Sequence, residues 1–215
     1  MALARITVLI SGRGSNLAAL IDAADAGTID GAVTQVISNR PEAAGLAYAE
    51  RHGIATAVVD HRAFASRAAF ESALADAIDR SEPDLIVLAG FMRILGADFV
   101  QRYAGRMLNI HPSLLPAYPG TDTHRRALED HATRHGCTVH FVTADVDGGP
   151  IVAQAEVAVL PGDDPASLAA RVLEREHRLL PAVVGWFCAG RLALEDGRVR
   201  IAQEIGVGDV FPGLM

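Results

Sequence analysis

Short apolar runs of strand character alternate with longer Ala-rich stretches of helical period along most of this 215-residue chain. Runs at Ile6–Ile10, Val33–Ser38, Thr56–Val59 and Leu85–Ala89 are followed by helical stretches at 15–26, 41–52, 67–80 and near 96–102. Continuously apolar strands suit a parallel sheet buried on both faces, and a helix between successive strands carries the chain back to the edge where the next one starts. The pattern predicts an α/β chain built on an open, mostly parallel sheet with helices on both faces.

Further runs at Met107–Ile110, Thr138–Thr143 and Ile151–Val159, with mostly loop between them, extend or edge that sheet. Asp163, Asp164 and Pro165 open a long helix that runs to about Ala189. After Gly190, the segments Leu192–Glu195 and Arg198–Ala202 flank Asp196-Gly197 and read as a hairpin. Repeats, linkers and low-complexity segments are lacking, so residues 1–215 are expected to form one domain, with halves at 1–105 and 106–190 and a tail at 191–215. Residues 203–215 are not placed by the pattern.

The formal net charge of −7 argues against a generic nucleic-acid binder, which needs clustered cations. All 19 basic residues are Arg, which removes any lysine Schiff base from consideration. Two cysteines, Cys137 and Cys188, are too few for a disulfide framework. The apolar start MALARITVLI stops at Ser11 and Gly12, short of a signal peptide or a membrane span, so a cytoplasmic protein is expected.

Three segments carry polar groups at strand ends. Ser11-Gly12-Arg13-Gly14-Ser15-Asn16 joins the first strand to the first helix, where free N–H groups and the helix dipole favour an anion; it reads either as a phosphate cradle, with Ser15 and Asn16 capping or hydrogen bonding, or as a tight turn. Its third fingerprint position is Leu17 instead of Gly, against a dinucleotide site. In Leu108-Asn109-Ile110-His111-Pro112, the two-residue strand period sets Asn109 and His111 on one face at a carboxyl end, where open α/β sheets bind ligands. An Asn donor beside an imidazole suits oxyanion stabilisation with proton transfer, though such a His can also simply tie down a loop. Asp145-Val146-Asp147-Gly148-Gly149-Pro150 is a turn whose carboxylate is placed to orient His111 and keep it charged, if the fold brings the two together. His131, His135, Cys137 and His140 match no familiar zinc spacing; the expectation is solvent-facing histidines on a helix that Gly136 breaks, followed by one strand histidine.

In order and spacing these segments, together with Leu88-Ala89-Gly90-Phe91-Met92-Arg93-Ile94-Leu95 and His140-Phe141-Val142-Thr143, resemble the glycinamide ribonucleotide formyltransferase family of purine synthesis. The likeness runs from Ile6 to about Arg191, and it implies a Rossmann-like formyltransferase fold. It also implies that Asn109, His111 and Asp147 are the catalytic trio. Gly14, Ser15, Asn16 and Glu176 would hold the ribonucleotide. Arg67, within Ser66-Arg67, would meet the folate together with Leu88, Phe91, Met92, Arg93, Ile94, Leu95, Val142, Thr143, Ala144, Asp145 and Val146. On this reading 1–105 is the ribonucleotide half and 106–190 the catalytic and folate half. The donor is 10-formyltetrahydrofolate, the acceptor glycinamide ribonucleotide, no metal is required, neither nucleic acid nor membrane is a partner, and the chain is a monomer or homodimer. Arg13 and Thr121-Asp122 depart from the family's usual residues.

The implied chemistry is direct attack of the acceptor amine on the formyl carbon. Relatives with other activities are expected to look different: a 10-formyltetrahydrofolate hydrolase carries a regulatory segment before the first strand, and methionyl-tRNA formyltransferase a C-terminal RNA-binding barrel. A non-catalytic sensor on the same scaffold would be expected to lack one of the trio, and a nicotinamide dehydrogenase would need the missing third glycine.

Overall fold

The structure, a computed structural model, describes residues 2–202. The unplaced residues 203–215 of the expected tail lie outside the described residues. The chain runs β1 (Ala4–Ile10), α1 (Ser15–Asp25), β2 (Gly31–Ser38), α2 (Ala44–Arg51), β3 (Ala55–Val58), α3 (Arg67–Asp79), β4 (Leu85–Leu88), α4 (Ala97–Arg102) and β5 (Met107–His111). It continues through α5 (Thr123–Glu129), β6 (Arg134–Phe141), β7 (Ile151–Ala158), α6 (Pro165–Cys188) and the ribbon β8 (Leu192–Glu195) with β9 (Arg198–Ile201).

Seven strands form one sheet in the order β3-β2-β1-β4-β5-β6-β7. Neighbours from β3 to β5 pair in parallel, while β6 pairs antiparallel with both β5 and β7. The strand order reverses at β1, between β2 and β4, and a crevice opens at the carboxyl ends beside such a reversal. Every β1 residue from Ile6 onward is buried, as a strand covered on both faces must be. Ile6, Val8 and Ile10 pack with Leu17 and Leu20 of α1 and Leu179, Leu180 and Val183 of α6. Leu9 enters the opposite layer with Phe70, Leu74 and Ile78 of α3.

The long helix starts where Asp163-Asp164-Pro165 predicts. The Asp164 carboxylate accepts the Ser167 N–H at 2.7 Å and the Ser167 hydroxyl accepts the Asp164 N–H at 2.9 Å, with Pro165 in the first turn. The hairpin also forms: Asp196 (φ 48°) and Gly197 (φ 71°) both take the left-handed conformation that a tight β-ribbon turn needs.

Between residues 112 and 143 the structure departs from the sequence reading. Helix α5 is short and lies within a stretch expected to be loop. Strand β6 begins at Arg134 and ends at Phe141, four residues before the expected start and two before the expected end. His135 and Gly136 are therefore strand residues, and His135 is buried instead of solvent-facing. Gly136 does not break a helix; a Cβ there would sit 2.1 Å from the Ala155 carbonyl oxygen on β7, so it is a point of close strand approach.

Candidate active site

Strand β5 sends Leu108 and Ile110 into the layer packed by α1 and α6, and Met107 into the layer packed by α3. The period of two turns Asn109 and His111 to the Met107 side. At that carboxyl end lies a cavity of about 630 Å³. Its lining takes in Asn16, Leu88, Phe91 to Leu95, Asn109, His111, Val142 to Asp147 and Glu176. Gly14, Ser15 and Arg67 are not among the lining residues: Ser15 begins α1 and Arg67 begins α3.

His111 is buried, with 5 % of its surface exposed, and donates from Nε2 to the Tyr118 carbonyl at 2.9 Å. The other ring nitrogen, Nδ1, faces Asp147 Oδ2 at 3.4 Å. The same carboxylate oxygen accepts the Gly120 N–H at 2.8 Å. Asn109 donates from its side-chain amide to His140 Nε2 at 3.0 Å, while His140 Nδ1 donates to the Phe141 carbonyl at 2.9 Å. Burial lowers the pKa of His140, so it is neutral and can serve as that acceptor. Asn109 keeps its second N–H for the cavity.

Asp147 reaches β5 because of how its loop is held. The Val142 N–H donates to the Met107 carbonyl and the Phe141 N–H to the Pro150 carbonyl, both at 3.0 Å. Asp147 adopts φ 53°, and Gly149 presses so closely on β6 that a Cβ would lie 1.8 Å from the Phe141 carbonyl oxygen.

Next to Asn16, Gly14 (φ 78°) precedes α1 as its N-cap, without a side-chain cap; of the two roles expected of Ser15 and Asn16, capping the helix or hydrogen bonding a phosphate, neither residue fills the first. The turn is seated on α2, where the Gly45 N–H donates to the Gly12 carbonyl at 3.1 Å. The first-turn N–H groups of α1 thus lack a side-chain acceptor, which suits an anion. Asn16 donates to Glu176 Oε2 at 2.7 Å, and its own Oδ1 is buried without a hydrogen-bond partner among the described residues. Burial raises the pKa of Glu176.

Beyond β4, Gly90 (φ 75°) turns the chain out so that Met92 and Ile94 are exposed while Phe91 and Leu95 anchor the loop in the core. Arg67 pairs with Glu71 at 3.6 Å, and Glu71 also accepts the Gly96 N–H at 2.7 Å, bringing Arg67 beside the end of this loop. Of the departures from the family pattern, Thr121 and Asp122 line the cavity, Asp122 paired with Arg125 at 3.2 Å, and Arg13 is exposed.

Two groups escaped the sequence reading. His140 was legible only as a strand histidine, because the antiparallel register that sets it opposite Asn109 is not local. The neighbour of His135 is His124 of α5, with Nε2 and Nδ1 3.1 Å apart, not His131. Burial pushes His135 down to about 4 and also lowers His124. Among the described residues, no three His, Cys, Asp or Glu side chains converge as a metal-binding group.

An amide, an imidazole and a carboxylate are thus gathered at one cavity at the carboxyl ends of a sheet whose strand order reverses. The chain belongs to the formyl transferase family, which it matches over residues 4–184. It is 52 % identical over 191 residues to a phosphoribosylglycinamide formyltransferase of Escherichia coli strain K12, which spans 89 % of this chain and 90 % of that protein. The solved glycinamide ribonucleotide transformylase 1 of Symbiobacterium toebii is 48 % identical, with a TM-score of 0.91 over 94 % of this chain and 95 % of that one. A formyltetrahydrofolate deformylase from Burkholderia mallei is 28 % identical, with a TM-score of 0.85 over 94 % of this chain and 71 % of that one.

Proposed function

We propose that this enzyme transfers the formyl group of 10-formyltetrahydrofolate to the amine of 5'-phosphoribosylglycinamide, giving formylglycinamide ribonucleotide and tetrahydrofolate in cytoplasmic purine synthesis. The observation that carries the reading is the convergence of Asn109, His111 and Asp147 on one cavity that also reaches Asn16 and Glu176. The phosphate sits at the α1 N-terminus against Gly14 and Ser15, and the ribose or glycinamide part meets Asn16 and Glu176. The folate lies along Met92 to Leu95 and under the loop Val142 to Asp147, with Leu88 and Phe91 beneath it and Arg67 and Arg93 near its polar groups.

The acceptor amine attacks the formyl carbon, and a tetrahedral oxyanion forms between the two ligands. The free N–H of Asn109 and the Nδ1–H of the His111 imidazolium donate to that oxyanion, where fixed donors act most strongly on developing charge. The Asp147 carboxylate balances the imidazolium. As the intermediate collapses, the bond from the formyl carbon to the folate nitrogen breaks, and the proton shed by the attacking amine passes by way of the His111–Asp147 pair to that nitrogen.

The likeness to a deformylase supplies a second reading, in which water replaces the amine. Both readings are tested by following the absorbance change as 10-formyltetrahydrofolate becomes tetrahydrofolate, with and without the ribonucleotide and without added metal. Turnover that requires the ribonucleotide supports transfer, turnover without it supports hydrolysis, and no turnover in either case overturns both.

A further inference from the structure

Ser11 belongs to the Gly-rich motif at the end of β1, yet its side chain is turned away from the α1 N-terminus. The hydroxyl, almost fully buried, donates to Asn39 Oδ1 at 2.5 Å and accepts the Met92 N–H at 2.7 Å. Asn39 follows β2 and Met92 follows β4, the two strands that flank β1 in the sheet. One hydroxyl thus ties together the carboxyl ends of three adjacent strands. Asn39 is itself buried and held by His61, with the Asn39 Nδ2 and His61 Nδ1 atoms 3.1 Å apart. The only proton of the hydroxyl is committed to Asn39, so Ser11 has none to offer a phosphate.

We propose that Ser11 is a positioning residue for the folate-side wall: through Met92 it fixes the loop Phe91 to Leu95, and it does not serve the ribonucleotide subsite despite lying in that motif. The assignment of the two subsites rests on the functional reading above. Only a small side chain that donates and accepts at one atom satisfies both partners in this space. Alanine leaves the Met92 N–H and Asn39 Oδ1 unpaired, and a buried polar group left unpaired is costly.

The test uses the full chain and Ser11→Ala, with Ser11→Thr as the variant that keeps a hydroxyl. Hydrogen exchange of the 91–95 amides should become about tenfold faster in Ser11→Ala, with residues 12–18 unchanged, as expected for loss of the partly buried bond from the Met92 N–H. The dissociation constant for tetrahydrofolate, followed by fluorescence, should rise about tenfold, while that for the ribonucleotide stays within about twofold. Ser11→Thr should restore both quantities toward the parent values. Unchanged exchange at 91–95, or a loss of ribonucleotide affinity as large as that for folate, overturns the proposal. If the parent protein binds no folate, the functional reading fails, and the exchange at 91–95 still decides whether Ser11 holds this loop.

Discussion

The side-chain amide of Asn109 donates to Nε2 of His140 across the β5–β6 pair at 3.0 Å, and the other nitrogen of that imidazole is committed to the Phe141 carbonyl. A neutral, fully engaged histidine thereby decides which way the amide faces. His140→Ala should lower kcat about tenfold with little change in either KM, because the amide can then rotate its oxygen toward the cavity and lose its value as an oxyanion donor. His140→Gln, which can still accept from Asn109, should recover part of that loss. Steady-state kinetics with both substrates varied checks this, and a KM effect alone would contradict it.

The trio should dominate the rate. Asn109→Ala removes one donor to the oxyanion and is expected to reduce kcat by about 10²–10³. His111→Ala and Asp147→Asn should each do at least as much, since in the proposed mechanism the 3.4 Å pair they form acts as a unit in moving the proton. Because such effects overlap, the His111→Ala/Asp147→Asn double variant should be only slightly slower than the worse single variant. Near-parental turnover in either single variant would be incompatible with the mechanism.

Glycine at 149 is a condition for Asp147 reaching His111. A Cβ at this position would lie 1.8 Å from the Phe141 carbonyl oxygen, so Gly149→Ala must displace the loop or the strand. We expect a stability loss of about 2 kcal/mol or more in urea denaturation, and activity reduced well beyond what the unfolded fraction explains. Gly120→Ala is a control in the facing turn, where a Cβ meets nothing within 4 Å; it strains a backbone at φ 80° and should have the smaller effect on stability.

Stability should fall as the solution becomes acidic from 6.5 toward 4. His135 titrates near 6.5 when unfolded and is pushed down to about 4 by burial in the folded chain, so in that interval the unfolded chain takes up a proton that the folded chain refuses. The stabilisation is complete above 6.5 and is lost progressively below it. His124, His140 and His177 are lowered in the same direction, chiefly by burial, and steepen the slope. Urea midpoints measured near pH 7.5 and near pH 5 check this, and His135→Asn should flatten the difference.

Element order and the parallel half of the sheet were legible from residue pattern because they rest on local period: buried strands such as Leu85-Ile86-Val87-Leu88 are continuously apolar, and the helices between them repeat every three to four residues. The common face of Asn109 and His111 follows from the same kind of local geometry, and the residues expected around them do line the cavity, with Gly14, Ser15 and Arg67 the exceptions. Where local pattern was ambiguous, tertiary pairing decided. The spacing of His131 and His135 suits a helix, but contact of Gly136 with Ala155 on β7 draws His135 into a strand and beside His124. The polar partners at the cavity and its wall are further apart still: 31 residues separate Asn109 from His140, and 81 separate Ser11 from Met92. Local propensity depends on neighbours a few positions away, so the sequence alone could determine which strands form and which faces are polar. Which polar groups meet depended on strand register and loop closure, and these are set by packing the whole sheet.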